Sequence, residues 1–241
     1  MNRIIKTNDI KSNCLLVNST EHCDFVEHCD CVEHIEHTGH TGHNESINLV
    51  ENNCHDKNPS YDFKTVCFKE NVLLKREKSC NIFLLQFNLE NMNKNLHDII
   101  NLNMYNLLFN LNRDNIEKIE IKKWNSSSDV EVLFLFKPFG KDLGVKPKYM
   151  YVKTTANISD HKHVYTSIDI DYPNVEELKN YEKVKNAIST MIVNFESNYK
   201  ININYVFKFD LIQSLPIYME NILGLIMKKM FLNLKKFIEL V

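Results

Sequence analysis

The chain changes character at about Val72, where periodic apolar runs begin. Ile82–Leu89 (IFLLQFNL) reads as a strand, and Asn95–Phe109 places Leu96, Ile99, Ile100, Met104, Leu107 and Leu108 at helical spacing. Lys118–Trp124 and Val130–Lys137 follow as two strands, separated by the turn-forming cluster Asn125–Asp129. In the second, Val130, Val132, Phe134 and Phe136 make one wholly apolar face, opposite Glu131, Leu133, Leu135 and Lys137. Beyond the loop Pro138–Pro147, Tyr149–Ile158 and Val164–Tyr172 predict a further strand pair around Ser159–His163. Val175–Ser197 supports two readings. Its charged first half, Val175–Lys185, tolerates a helix, while Ala187–Phe195 is β-branched enough for a strand; a helix throughout is the competing assignment. Ile201–Leu211 alternates cleanly, with Ile201, Ile203, Tyr205, Phe207, Phe209 and Leu211 on one face and Val206 the exception on the other.

The last element is an amphipathic helix. Ser214 suits an N-cap and Pro216 the first turn. Met219, Ile222, Leu223, Ile226, Met230, Leu234, Phe237, Ile238 and Val241 then recur every three or four residues, with Lys228, Lys229, Lys235 and Lys236 mostly on the polar side. Pro216, Glu220 and Asn221 interrupt the apolar run and the lysines end it, so a membrane-spanning helix is not expected. The stripe must be buried on something.

Composition fits this picture. At 241 residues, 44% hydrophobic and 25% charged, the chain can form one domain with an extension. Only 5 Gly and 5 Pro exclude Gly-rich dinucleotide or phosphate-loop folds, collagen and flexible Gly/Ser linkers. The net charge of −2 gives no reason to expect nucleic acid. That near-neutral total hides an asymmetry: residues 1–70 carry a net −6 and residues 71–241 a net +4. The reading is a low-complexity, acidic His/Cys-rich leader over 1–74, expected to be disordered, and a folded body over 75–241.

The leader concentrates the unusual side chains. Glu-His-Cys-Asp occurs at Glu21–Asp24 and again at Glu27–Asp30, then decays to histidines every three residues at His34, His37, His40 and His43. His22, Cys23, His28, Cys29, Cys31 and His34 could supply four tetrahedral ligands to zinc or copper. No paired knuckle or second ligand pair accompanies them, so a disordered repeat with adventitious metal affinity is the leading reading and a functional metal site the alternative. The odd count of 7 Cys, with no apolar run of signal-peptide length at the start, points to a reducing, cytoplasmic setting. Catalytic patterns of the G-x-S-x-G, H-E-x-x-H and Walker types do not occur. His161 and His163 read as turn residues, and a cyclase-like acid/base role for Asp169 or Asp171 has only their presence behind it.

The order strand, helix, about six antiparallel strands and long closing helix resembles the START-like, or helix-grip, superfamily. The resemblance is sharpest at the last junction. START domains carry Asp, a nearby Gly, Ser-Leu-Pro, an aromatic two residues on and Asn three beyond; Asp210 to Asn221 (DLIQSLPIYMEN) falls in that register, with Gln213 for the Gly and Tyr218 for the usual Trp. Tyr105–Phe109 followed by Trp124-Asn125 is similar to the early helix and strand of START and of the related sterol-transfer VASt domains, which Asp171-Tyr172-Pro173 also resembles. Lys146-Pro147-Lys148-Tyr149 stands where START has Pro, Arg and Asp, but the Arg-Asp pair is absent.

The resemblance implies an α+β fold, a curved antiparallel sheet gripping the closing helix around a lipid-sized cavity. The cavity residues it implies are Phe134, Phe136, Tyr151, Tyr205, Phe207, Phe209, Met219, Ile222, Leu223, Ile226 and Met230. Tyr151, Tyr165, Asp169, Lys153 and Gln213 are the polar groups that could orient a headgroup, set against the plainer reading of solvated strand residues. Lys141, Lys146 and Lys148 would face a membrane from the 138–147 loop. The expected function is non-catalytic carriage of a phospholipid, sterol or ceramide by a monomer without cofactor, in transient contact with membranes. The alternative is a protein-interaction or chaperone-cofactor module with a collapsed cavity.

Overall fold

The computed structural model describes residues 62–78, 81–138, 146–210 and 217–240, apart from the side chains of 186, 209, 210 and 217–220. A ten-stranded sheet wraps a long helix. Its strands are β1 (Phe63–Lys69), β2 (Val72–Glu77), β3 (Ile82–Glu90), β4 (Ile116–Ser126), β5 (Asp129–Phe136), β6 (Lys148–Ile158), β7 (Lys162–Asp169), β8 (Glu182–Lys183), β9 (Lys185–Ser197) and β10 (Lys200–Asp210). The spatial order is β1-β2-β3-β10-β9-β7-β6-β5-β4, with β8 added in parallel beside β6. Helices α1 (Leu96–Ile99) and α2 (Met104–Leu111) connect β3 to β4, and α3 (Ile217–Leu240) closes the chain.

Alternation decides which side chains meet the helix. Leu85, Phe87 and Leu89 of β3, Ile201, Ile203 and Phe207 of β10, Met191, Val193 and Phe195 of β9, and Val130, Val132, Phe134 and Phe136 of β5 all enter one core. Val206, the exception in the β10 pattern, is buried on the opposite face, where it pairs with the equally buried Leu84 of β3. Leu133 and Leu135 on the reverse of β5 join Tyr149, Tyr151, Tyr172 and Leu178 in a second, smaller cluster. A 3-10 turn at Val175–Leu178 supplies the cover, so Val175–Ser197 is neither one helix nor one strand but this turn followed by β8 and β9.

The helix expected over Asn95–Phe109 is broken in two. Asparagine is the cause: Asn101 Nδ2 donates to the Asp98 carbonyl at 2.7 Å and Asn101 Oδ1 accepts from the Asn103 amide at 2.8 Å, so side chains replace the ladder at the break. Asn112 then fastens α2 to the closing helix. Its buried Nδ2 donates to the Leu108 carbonyl at 2.8 Å, and its Oδ1 accepts from Asn233 Nδ2 at 2.9 Å.

Among the described residues the sheet starts at Phe63, upstream of residue 75, where the sequence pattern alone starts the folded body. The β1–β2 pair changes the surroundings of α3. Lys228, assigned by periodicity to the polar side, is only 5% exposed and its Nζ donates to Cys67 Sγ on β1 at 3.0 Å; Lys236 pairs with Glu70 at 2.8 Å in the turn between the two strands. Among the described residues no helix is long and apolar enough to cross a membrane.

Candidate ligand cavity

Between the inner face of the sheet and helices α2 and α3 lies a cavity that leaves about 50 Å³ for the centres of water-sized spheres. Met104, Tyr105 and Leu108 come from α2, and Met227, Met230 and Phe231 from α3; Phe134, Met150, Val152, Tyr165, Ser167, Met191 and Tyr205 face them from the sheet. Ala187, Ile188 and Ser189 of β9 complete the wall. Among the described residues, five methionines border the space. Unbranched thioether side chains change shape at little cost, which gives the wall a capacity to adapt.

The polar groups here are hydroxyls. Tyr105 OH lies 3.0 Å from Thr154 Oγ1, which lies 2.9 Å from Ser167 Oγ. Tyr165 OH donates to the Ile100 carbonyl at 2.8 Å. Burial pushes the phenols of Tyr105, Tyr165 and Tyr205 above the ordinary tyrosine range, so all three remain neutral. Among the described residues, no Asp, Glu, Lys, Arg or His borders the cavity.

Behind Tyr165 sits a histidine pair. His163, only 4% exposed, places Nδ1 3.2 Å from Tyr165 OH and Nε2 3.3 Å from His97 Nδ1, while Phe195 stacks on the His97 ring at 3.6 Å between centroids. The turn-residue reading therefore fails for His163, which is a core group tying α1 to β7; His161 is exposed. Burial first, and the neighbouring His97 second, hold the His163 pKa below the ordinary histidine value. The unfolded chain takes up this proton at about pH 6.5 and the folded chain resists it, so stability is held above that pH and lost as pH falls through it. His163→Asn is expected to flatten that loss. Thermal midpoints at pH 7.5 and 5.5 check this; an equal drop in both proteins would contradict it.

Of the cavity residues expected from the sequence, Phe134, Tyr205 and Met230 border the space. Phe136 stacks beside Phe134 at 6.3 Å, and Phe207 is spent on Phe83 at 5.3 Å; both are solid core. Ile222, Leu223 and Ile226 pack into the same core without reaching the cavity. Phe209, Met219 and Gln213 lie outside the described side chains. Tyr151 is misplaced by the expectation: one-residue alternation along β6 puts it on the outer face, where it donates to Glu131 Oε2 at 2.6 Å and packs on Tyr172. Lys153, paired with Asp129 at 3.0 Å, and Asp169, paired with Lys183 at 3.3 Å, are held in ion pairs and do not border the cavity. Among the described residues, Tyr165 is the one expected headgroup candidate that borders it.

The membrane-facing lysines also divide. Lys148 is a correction: as the first residue of β6 it is 3% exposed and its Nζ meets Glu182 of β8 at 2.5 Å, so its charge is not available to a bilayer. Lys146 is exposed, and Lys141 lies outside the described residues. The metal candidates His22, Cys23, His28, Cys29, Cys31 and His34 lie outside them as well; among the described residues no group of three or more His, Cys, Asp or Glu could hold a metal. Sequence reasoning missed Tyr105, Ser167, Ser189, Met150 and Met191. All but Tyr105 sit on strands whose inward phase emerges only once the register is known.

This architecture, a large antiparallel sheet around a C-terminal helix, is the START-like helix-grip fold. The human StarD13 lipid transfer and protein localization domain matches it with a TM-score of 0.60 and 9% identity, over 75% of this chain and 91% of that one. Human StAR-related lipid transfer protein 5 matches at 0.57 and 11% identity, over 73% and 86%. The STAR-related lipid transfer protein fragment from Xanthomonas axonopodis matches at 0.57 and 9% identity, over 73% and 98%. No family model and no curated protein matches the chain by sequence.

Proposed function

We propose that this protein binds a lipid in the cavity between sheet and closing helix and carries it without catalysing a reaction. The observation behind the reading is an apolar, methionine-walled space between the sheet and the closing helix, bordered among the described residues by no charged side chain. The structural likeness to lipid transfer proteins supports it. At about 10–15 Å³ per water, the space now admits only a few waters. Uptake therefore requires the methionines to re-orient and α3 to shift from α2, making α3 the gate.

Transfer of fluorescent phospholipid, sterol and ceramide between donor and acceptor liposomes tests the proposal. Acceleration of at least one supports it, and acceleration of none removes it. The narrowness of the cavity favours a second reading, a protein-interaction module on the same fold. Native mass spectrometry separates the two, since a lipid adduct on the purified protein belongs only to the carrier.

A further inference from the structure

We infer that the cavity selects an uncharged lipid whose polar end is a hydroxyl, and that Tyr105 and Ser167 hold that hydroxyl. The inference rests on the lipid-binding reading above and narrows it to a headgroup class. Tyr105, Thr154 and Ser167 form one hydrogen-bonded cluster, with Tyr105 and Ser167 on the cavity wall. Three hydroxyls carry three protons and six lone pairs, so bonds within the cluster fill at most half of its acceptor capacity. A ligand O–H aimed at this wall finds an acceptor and can accept in return. An alcohol satisfies both requirements with one atom.

A charged headgroup fares differently. A phosphate, carboxylate or ammonium drawn into the cavity would lose its hydration without a counter-charge among the described residues of the walls. The neighbouring imidazoles do not supply one, because His163 is committed to Tyr165 and His97, and neither histidine borders the space. The phenols do not ionise to meet a cation, being held neutral by burial.

The test uses the full chain and four probes, each delivered from vesicles: dehydroergosterol, fluorescent ceramide, fluorescent diacylglycerol and fluorescent phosphatidylcholine. At least one of the three neutral alcohols is expected to bind, and phosphatidylcholine to bind about 30-fold more weakly or worse. The pair Tyr105→Phe and Ser167→Ala is expected to weaken the alcohol about tenfold and to leave residual phosphatidylcholine binding unchanged. Tyr105→Phe keeps the ring that packs edge-on against Phe134 at 5.6 Å, and Ser167→Ala alone serves if the pair does not fold. Phosphatidylcholine binding as tight as the alcohols would overturn the selectivity and leave the lipid-binding reading standing. Alcohol binding untouched by the variants would overturn the assigned residues. Failure of all four probes would sink the underlying reading itself.

Discussion

Ala187→Leu is expected to lower ligand uptake at least tenfold while leaving the protein folded. Ala187 lies on β9, is 3% exposed, and borders the cavity. Leucine adds three carbon atoms where about 50 Å³ is open to water-sized spheres, so the added group occupies the space a ligand must first enter. Filling an existing void makes contacts without removing any, and such changes are commonly neutral to stabilising by about 0.5–2 kcal/mol. Binding titrations and thermal melts of the same samples separate the outcomes. Uptake equal to the unmodified protein, with an unchanged melt, would mean that the ligand sits elsewhere.

The second large effect concerns the seat of α3. A Cβ on Gly224 would lie 2.6 Å from Cε1 and 2.7 Å from Cδ1 of Phe83, inside any real contact. Phe83 cannot retreat: it is 1% exposed and stacks on Phe207 at 5.3 Å with the rings only 14° apart. Gly224 is therefore a point of close approach between the closing helix and β3. Alanine in mid-helix would ordinarily stabilise by about 1 kcal/mol over glycine. Overpacking a filled core typically destabilises by about 1–3 kcal/mol, so Gly224→Ala is expected to end up less stable despite its propensity, and Gly224→Leu to lose several kcal/mol or fail to fold. Each kcal/mol corresponds to about 2–4 °C of midpoint at this chain length. Urea melts check the prediction; a Gly224→Ala protein more stable than its parent would show that α3 is not pressed against β3 at this point.

Much of the fold was legible because period-2 alternation over long strands needs no tertiary information. Ile201–Phe207 and Val130–Phe136 announce both their type and their buried face, and the amphipathic closing helix announces that it must be covered. What covers it was not legible. Phe63–Lys69 has only intermediate or exposed positions, so β1 carries no apolar phase of its own, and without it Lys228 passes for a solvated lysine. The helix break set by Asn101 was equally hidden, because asparagine interrupts a helix only where its side chain finds a local carbonyl or amide.

The cavity was the least legible part. An inward aromatic on a strand looks the same whether its ring is enclosed in the core, as that of Phe207 is, or borders open space as well as other rings, as Tyr205 does. The difference lies in what stands opposite, which is long-range. Tyr151 shows the complementary failure, since an aromatic on a strand with two buried faces was assigned to the wrong one. Methionine was the available signal. Met104, Met150, Met191, Met227 and Met230 fall on four separate elements and meet around one void, a convergence that residue counting registers only as composition.

The central claim is that this helix-grip fold carries a lipid between its sheet and α3. Mass spectrometry of organic extracts from the purified full chain, quantified against protein, tests it most directly. The account predicts a single class of neutral, hydroxyl-bearing lipid approaching one equivalent per chain, reduced at least tenfold in Ala187→Leu prepared in parallel. Extracts without lipid above the level of an unrelated control protein, or lipid retained in full by Ala187→Leu, would contradict it.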